Sequence, residues 1–181
     1  MALRFVLDPV LTPELRRQVV ALWVDATNAG GAVGFVAPVT TEEVRPVAER
    51  ALAGVTDGPD RLLVGYEGEQ LVAMLLFVNN RFALTEHWCV LKRVMVHPGR
   101  QGHGYGVALM REAERLAPQL GYEALHITVR GGHGLERFYD RCGYKEVGRL
   151  PGALRVGTDD ERDEILMWLP LNQADQPSGT I

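Results

Sequence analysis

The segment Val94-Met95-Val96-His97-Pro98-Gly99-Arg100-Gln101-Gly102-His103-Gly104-Tyr105-Gly106 has the residue types and spacing to do chemistry. An apolar, strand-like run ends at Val96, a loop with glycines at 102, 104 and 106 follows, and an amphipathic stretch begins at once. The first turn of a helix leaves backbone N–H groups without partners and carries a positive partial charge. Glycines let an anion approach that backbone closely, so the pattern describes a phosphate cradle. Glycine content alone also fits a strand-to-helix turn that binds nothing. Spacing narrows the choice. A Walker loop needs Gly-Lys-Ser/Thr at the helix start, and none is there. A dinucleotide fingerprint needs GxGxxG after a first strand and an acid near the end of the second. Here the pattern is GxGxG, late in the chain and behind a hairpin. Neither common nucleotide fold fits.

The elements that must position this loop are legible from caps and periodicity. Residues 3–7 read as a strand ended by Asp8 and Pro9. Thr12 as N-cap, Pro13 at the first helical position and Glu14 beside it start a helix. Leu15, Val19, Leu22 and Ala26 carry it to about Asn28, and the glycine-rich stretch 30–35 breaks it. Thr40 with Glu43 forms a capping box for a helix over 42–52. Runs at 61–66 and 71–78, joined through Glu67-Gly68-Glu69-Gln70, read as a hairpin, and 88–96 as a third strand. A helix over 104–120, with Val107, Met110, Ala113, Leu116 and Ala117 on one side, stops at Gly121. Next come a strand over 123–129, a short helix over 134–142 stopped by Gly143, and a strand over 144–149. An acidic turn at 159–164 leads to a last strand over 165–169. The order β-α-α-β-β-β-α-β-α-β-β implies an α/β (mixed α+β) fold, a mixed sheet with helices on its faces. One domain is expected over 1–171, with the polar stretch 172–181 a disordered tail.

The composition excludes several classes. A chain of 181 residues, 46% hydrophobic and 23% charged, buries roughly 70% of its unfolded surface and needs no metal or disulfide staple. Its 23 acids against 19 bases, a net charge of −4, make it a poor binder of nucleic acid, which rewards a basic surplus. Of those bases only Lys92 and Lys145 are lysine. Cys89 and Cys142 are too few for a zinc site and fit no CxxC pattern, so two free thiols in a reducing cytoplasm are expected. The longest apolar run, 71–78, is far short of the roughly 20 residues of a membrane helix. The opening MALRFVLDPV develops no signal-peptide core, so a cytoplasmic location is expected.

Gln101-Gly102-His103-Gly104-Tyr105-Gly106 matches Q/R-x-x-G-x-G/A, the pyrophosphate signature of the GNAT superfamily of N-acetyltransferases, at every specified position. The preceding Val-x-Val-x-Pro resembles that family's strand 4. Arg137-Phe138-Tyr139-Asp140-Arg141-Cys142-Gly143-Tyr144 resembles its short helix with a tyrosine and a closing Gly-aromatic pair. The ending Trp168-Leu169-Pro170-Leu171 is similar to that of ribosomal-protein N-acetyltransferases. Gly30-Gly31-Ala32-Val33-Gly34-Phe35 is similar to a segment of tabtoxin-resistance acetyltransferases. The resemblance implies a mostly antiparallel mixed sheet of about seven strands, splayed between strands 4 and 5 and flanked by about four helices. It implies acetyl-CoA as co-substrate, no metal, and acetyl transfer by direct attack to the primary amine of an amino-acid-like metabolite or antibiotic.

Residue roles follow from the same resemblance. Val94, Met95 and Val96 offer backbone groups to the pantetheine arm and thioester carbonyl, one N–H stabilising the oxyanion. Gln101, Gly102, His103, Gly104, Tyr105 and Gly106 hold the pyrophosphate through main-chain N–H groups, with the Tyr105 side chain packed under the loop. Arg100 adds a charge-assisted contact or is merely solvated, and His133 joins the cofactor-binding set. Tyr139 gives its proton to the leaving thiolate; the plainer reading is a packed core tyrosine. A carboxylate base on strand 4 or 5 is missing, Val90 and Thr128 standing there, which leaves His126, His97, Glu86, Asp60 or a water. The acceptor is expected near 30–35 and the turn before the last strand, whose acids would favour a cationic amine unless they are simply solvated. Phe77, Asn79 and Trp88 are expected to approach the same region. A protein N-terminus is the second acceptor reading, and a non-catalytic acyl-CoA-binding module the third. Both a monomer and a homodimer fit.

Overall fold

Helix starts follow the capping chemistry in this computed structural model, which describes residues 3–171; the tail expected over 172–181 lies outside them. After β1 (Leu3–Leu7), helix α1 (Pro13–Asn28) begins behind Thr12, whose hydroxyl accepts from Leu15 N at 3.2 Å. Thr40 and Glu43 close the reciprocal box at the start of α2 (Thr41–Thr56). That helix runs a turn past the expected end, which brings Val55 onto the core. Then follow β2 (Arg61–Glu67), β3 (Gln70–Asn79), β4 (Trp88–Val96), α3 (Tyr105–Leu116), β5 (Ala124–Arg130), α4 (Leu135–Arg141), β6 (Lys145–Gly157) and β7 (Asp160–Pro170). The order is the expected one. Where the long third helix was expected to continue, a 3₁₀ turn over Ala117–Leu120 replaces its last turn, because Pro118 has no N–H to give the ladder.

The seven strands form one sheet in the order β1-β2-β3-β4-β5-β7-β6. Every pair is antiparallel except β4–β5, which is parallel. That parallel pairing lasts only from Trp88 to Val90 against Ala124 to His126, and the strands then part. The expected splay is therefore present. β3 is apolar without interruption because both its faces are covered. Ala73, Leu75 and Phe77 enter the core shared with α3 and α4, and Met74 and Leu76 the core shared with α1 and α2.

One irregularity re-aims β4. Leu76 pairs with Lys92 and Met74 with Met95, so Leu75 alone faces both Arg93 and Val94. Arg93 takes up the extra residue with φ 55°, a left-handed backbone uncommon for a non-glycine residue. Before this bulge Cys89 and Leu91 pack towards α3; after it Val94 and Val96 do.

The ending departs from expectation. β6 continues to Gly157 and β7 starts at Asp160, so most of the expected acidic turn is strand and the reversal lies at Thr158 and Asp159. Opposite charges across the two strands account for this, Arg155 pairing with Glu161 at 2.7 Å and Arg149 with Asp163 at 3.1 Å. Cys89 is buried and Cys142 half-buried, both free. Among the described residues no helix is long and apolar enough to cross a membrane, and no cluster of three or more His, Cys, Asp or Glu could hold a metal ion.

Candidate active site

Where β4 leaves β5, its end and the following loop form one wall of a gap. His97 N donates to Val72 O at 2.8 Å, so by antiparallel alternation Met95 bonds β3 while Val96 turns its N–H and C=O away from it. The Val96 carbonyl accepts from Gln101 Nε2 at 3.3 Å. The Met95 side chain is buried against α1. Val94, beside the bulge, has no register partner on β3.

The glycines of the loop do two different jobs. Gly102 (φ 79°) and Gly104 (φ 81°) hold left-handed conformations, and a Cβ at either would meet nothing within 4 Å. Backbone conformation, not crowding, calls for glycine there. Gly104 caps α3 without a side-chain bond, and the first bond of the helix is Ala108 N to Gly104 O at 3.0 Å. The N–H groups over 102–107 find no acceptor among the described residues. Gly106 instead allows close packing, since its Cβ would lie 3.2 Å from Phe138 Cζ. Open space around uncapped N–H groups fits a pyrophosphate.

Arg100 and Tyr105 are both engaged by Glu67, the last residue of β2 at the β2–β3 hairpin. Arg100 Nε donates to Glu67 Oε2 at 2.5 Å and Tyr105 Oη to Glu67 Oε1 at 2.9 Å. Both bonds hold the Glu67 carboxyl below the usual carboxylate range. These contacts span 33 and 38 residues, so no local signal marks Glu67. His103 is exposed, Nδ1 lying 2.9 Å from Gln101 O. His133 is exposed on the turn before α4 and is not brought to the gap's cavities.

Val94, Met95, Val96, Gln101, Leu135 and Tyr139 line a cavity of about 140 Å³ in the gap. Tyr139 and Val94 also line an adjoining one of about 180 Å³, with Arg93 and Thr128. Tyr139 is 7% exposed, its ring edge-on to Phe138 (5.0 Å) and Tyr144 (5.9 Å). Burial raises its pKa, and its hydroxyl has no partner among the described residues.

A cavity of about 380 Å³ opens on the far side, between the loop after α1 and strands β4 to β7. Ala32, Gly34 and Phe35 contribute, as expected of 30–35. Its charged lining is Arg93, Arg130 and Arg155 with the single carboxylate Glu164, which reverses the expected acidic surroundings. The acids are spent elsewhere: Asp160 on Arg162, Glu161 on Arg155, Asp163 on Arg149 and Gly152 N. Phe77 is buried and stacked on Tyr122, and Asn79 N donates to Asp60 Oδ1, so neither approaches the cavity. Trp88 packs against Trp168 and His126 instead. Of the base candidates, Asp60 serves Asn79 and Arg81, and His97 caps Gly99 beside Asp25. Glu86 ends a 3₁₀ turn ahead of β4 and lines no cavity of the gap. His126 is half-buried and held below its usual pKa by desolvation.

Comparison with solved structures gives the same architecture. A ribosomal-protein-alanine N-acetyltransferase from Brucella melitensis superposes with a TM-score of 0.74 at 18% identity, covering 94% of this chain and 99% of that one. A proposed phosphinothricin N-acetyltransferase gives 0.75 at 19%, covering 95% and 100%. A proposed acetyltransferase from Salmonella typhimurium, solved with its cofactor acetyl-CoA, gives 0.72 at 20%, covering 99% of each. The profile of the acetyltransferase (GNAT) family matches residues 32–144, a stretch that holds the bulge, the glycine loop and Tyr139. The chain belongs to the acetyltransferase (GNAT) family.

Proposed function

We propose that the chain transfers an acetyl group from acetyl-CoA to the primary amine of a small molecule, in the cytoplasm. The observation that carries this is a gap between β4 and β5 with uncapped N–H groups on one side and a cavity of about 380 Å³ on the other. That volume is in the range of small-molecule sites, from about 300 Å³ upward. Acetyl-CoA, when bound, supplies a thioester whose carbonyl carbon an amine can attack. The N–H groups over 102–107 take its pyrophosphate, and Glu67 holds Arg100 and Tyr105 at the rim of that loop. The N–H groups of Val94 and Val96 face the carbonyl oxygen as charge develops on it. Tyr139 Oη holds a proton for the leaving sulfur, and burial keeps that proton in place through the alkaline range.

Thermal shift with acetyl-CoA and CoA, alongside turnover of an amine panel by thiol release, tests the reading. Acetyl-CoA stabilises the wild type, because a ligand of the native state alone must do so. Tyr139→Phe keeps that stabilisation and loses on the order of a hundredfold in kcat. No stabilisation far above micromolar concentrations sinks the reading. Binding without turnover of any amine makes the chain an acyl-CoA-binding module instead.

A further inference from the structure

The guanidinium of Arg93 stands out among the charges of the acceptor cavity. It lies over the Trp23 ring, 4.9 Å from the centroid. Trp23 is itself fully buried and fixed by Nε1 donating to Val33 O at 2.9 Å. Gly34 also lies against the guanidinium: a Cβ there would come within 2.4 Å of Arg93 Nη1. The left-handed φ of 99° at Gly34 holds the loop against the guanidinium. Arg155 is paired with Glu161, and Arg130 donates to Gly30 O at 2.6 Å. Arg93 has no hydrogen bond and no carboxylate partner among the described residues. A half-buried guanidinium keeps its charge and needs acceptors, which the ring face alone does not supply. Desolvation accordingly lowers its pKa.

Position adds chemistry to charge. Arg93 lines both the acceptor cavity and the cavity it shares with Tyr139 and Val94. A group bound by Arg93 therefore sits beside the place where the amine must react. We propose that the acceptor carries an oxyanion close to its amine, as an α-amino acid or 1-aminoalkylphosphonate does, and that Arg93 is the residue that selects it. This rests on the acetyltransferase reading and narrows its acceptor. It also separates a free amino acid from a protein N-terminus, in which an amide replaces the neighbouring carboxylate.

The experiment measures kcat/KM with acetyl-CoA for free L-amino acids, their amides, their decarboxylated amines, 1-aminoalkylphosphonates and 6-aminohexanoate. In parallel, calorimetry follows binding of the same compounds to the protein without donor. At least one compound with the anion on the amine-bearing carbon is expected to exceed its amide and its amine by on the order of tenfold to a hundredfold. 6-Aminohexanoate falls with the neutral amines, and preference between carboxylate and phosphonate identifies the oxyanion. Arg93→Met removes the preference and the calorimetric signal while acetyl-CoA still stabilises the protein; Arg93→Lys restores part of both. Equal or better use of amides or plain amines by the wild type overturns the proposal and leaves the acetyltransferase reading standing. So does an Arg93→Met loss shared by all amines alike. Failure to bind acetyl-CoA defeats the acetyltransferase reading, and calorimetry with amino acids still decides this one.

Discussion

On one side of the gap the open polar groups are main-chain N–H groups over 102–107. On the other side charged side chains line the large cavity, Arg93, Arg130 and Arg155 with Glu164, and of the arginines only Arg93 is without a partner among the described residues. Arg100, which immediately precedes the glycine loop, is bound to Glu67 and serves as scaffold. In the proposed acetyltransferase reading, backbone donors recognise what every acyl-CoA shares, whereas side chains recognise what distinguishes one amine from another. The division lets one fold keep its donor while its acceptor varies.

Glycine substitutions on either side should separate the two. Gly104→Val places a β-branched residue in a left-handed backbone at a cost of roughly 1–2 kcal/mol. It should raise KM for acetyl-CoA about tenfold, roughly 1.4 kcal/mol, and leave acceptor preference unchanged. Gly34→Ala drives a methyl into the Arg93 guanidinium and should do the reverse, raising acceptor KM by nearly as much. If both variants change both constants equally, the two sides are not independent.

A smaller effect is expected at Glu67, which serves the donor side by fastening Arg100 and Tyr105. Glu67→Gln should weaken acetyl-CoA binding a fewfold, on the scale of partly exposed charge-assisted bonds. Because the folded pKa is lowered from 4.5, the contribution is present above that value and lost as pH falls through the lower folded one. Titration of acetyl-CoA affinity downward from pH 7 checks the sign: the wild type should approach the variant only at pH values below the ordinary carboxylate range.

The smallest effect is one of stability, at His126 between Trp88 and Trp168. Desolvation lowers its folded pKa from 6.5, so below that value the unfolded chain binds a proton that the folded one resists. Stability from this residue is complete above pH 6.5 and drains away as pH falls. Denaturant melts at pH 7.5 and pH 5.5 should show a larger acid loss for wild type than for His126→Phe.

The same division explains what the sequence made legible. The element order, the helix starts and the glycine loop rest on local signals: Thr12, the Thr40–Glu43 box, the alternating glycines; the splay is legible only through the family resemblance. Backbone sites are encoded by neighbours in the chain. Glu67 and Arg93 are not, because their partners come from residues 33 and 38 positions away and from Trp23 and Gly34. The acids near 160 misled for a related reason. Their charges are visible in a string of letters, but cross-strand pairing with Arg149 and Arg155 appears only once β6 and β7 align. A weak clue to Arg93 did exist, an arginine interrupting an apolar strand.

The bulge in β4 has a consequence for how this protein could diversify. An extra residue has no place in the ladder, so what it carries is chosen free of sheet pairing. Replacing the side chain at 93 changes the lining of the large cavity and of the one it shares with Tyr139, and leaves the glycine loop untouched. Deleting the residue would shift β4 by one and exchange the facing of Val94, Met95 and Val96 together. Position 93 is thus open to point substitution and closed to length change; if Arg93 selects the acceptor as proposed, it is a place where a lineage could alter that choice in a single codon.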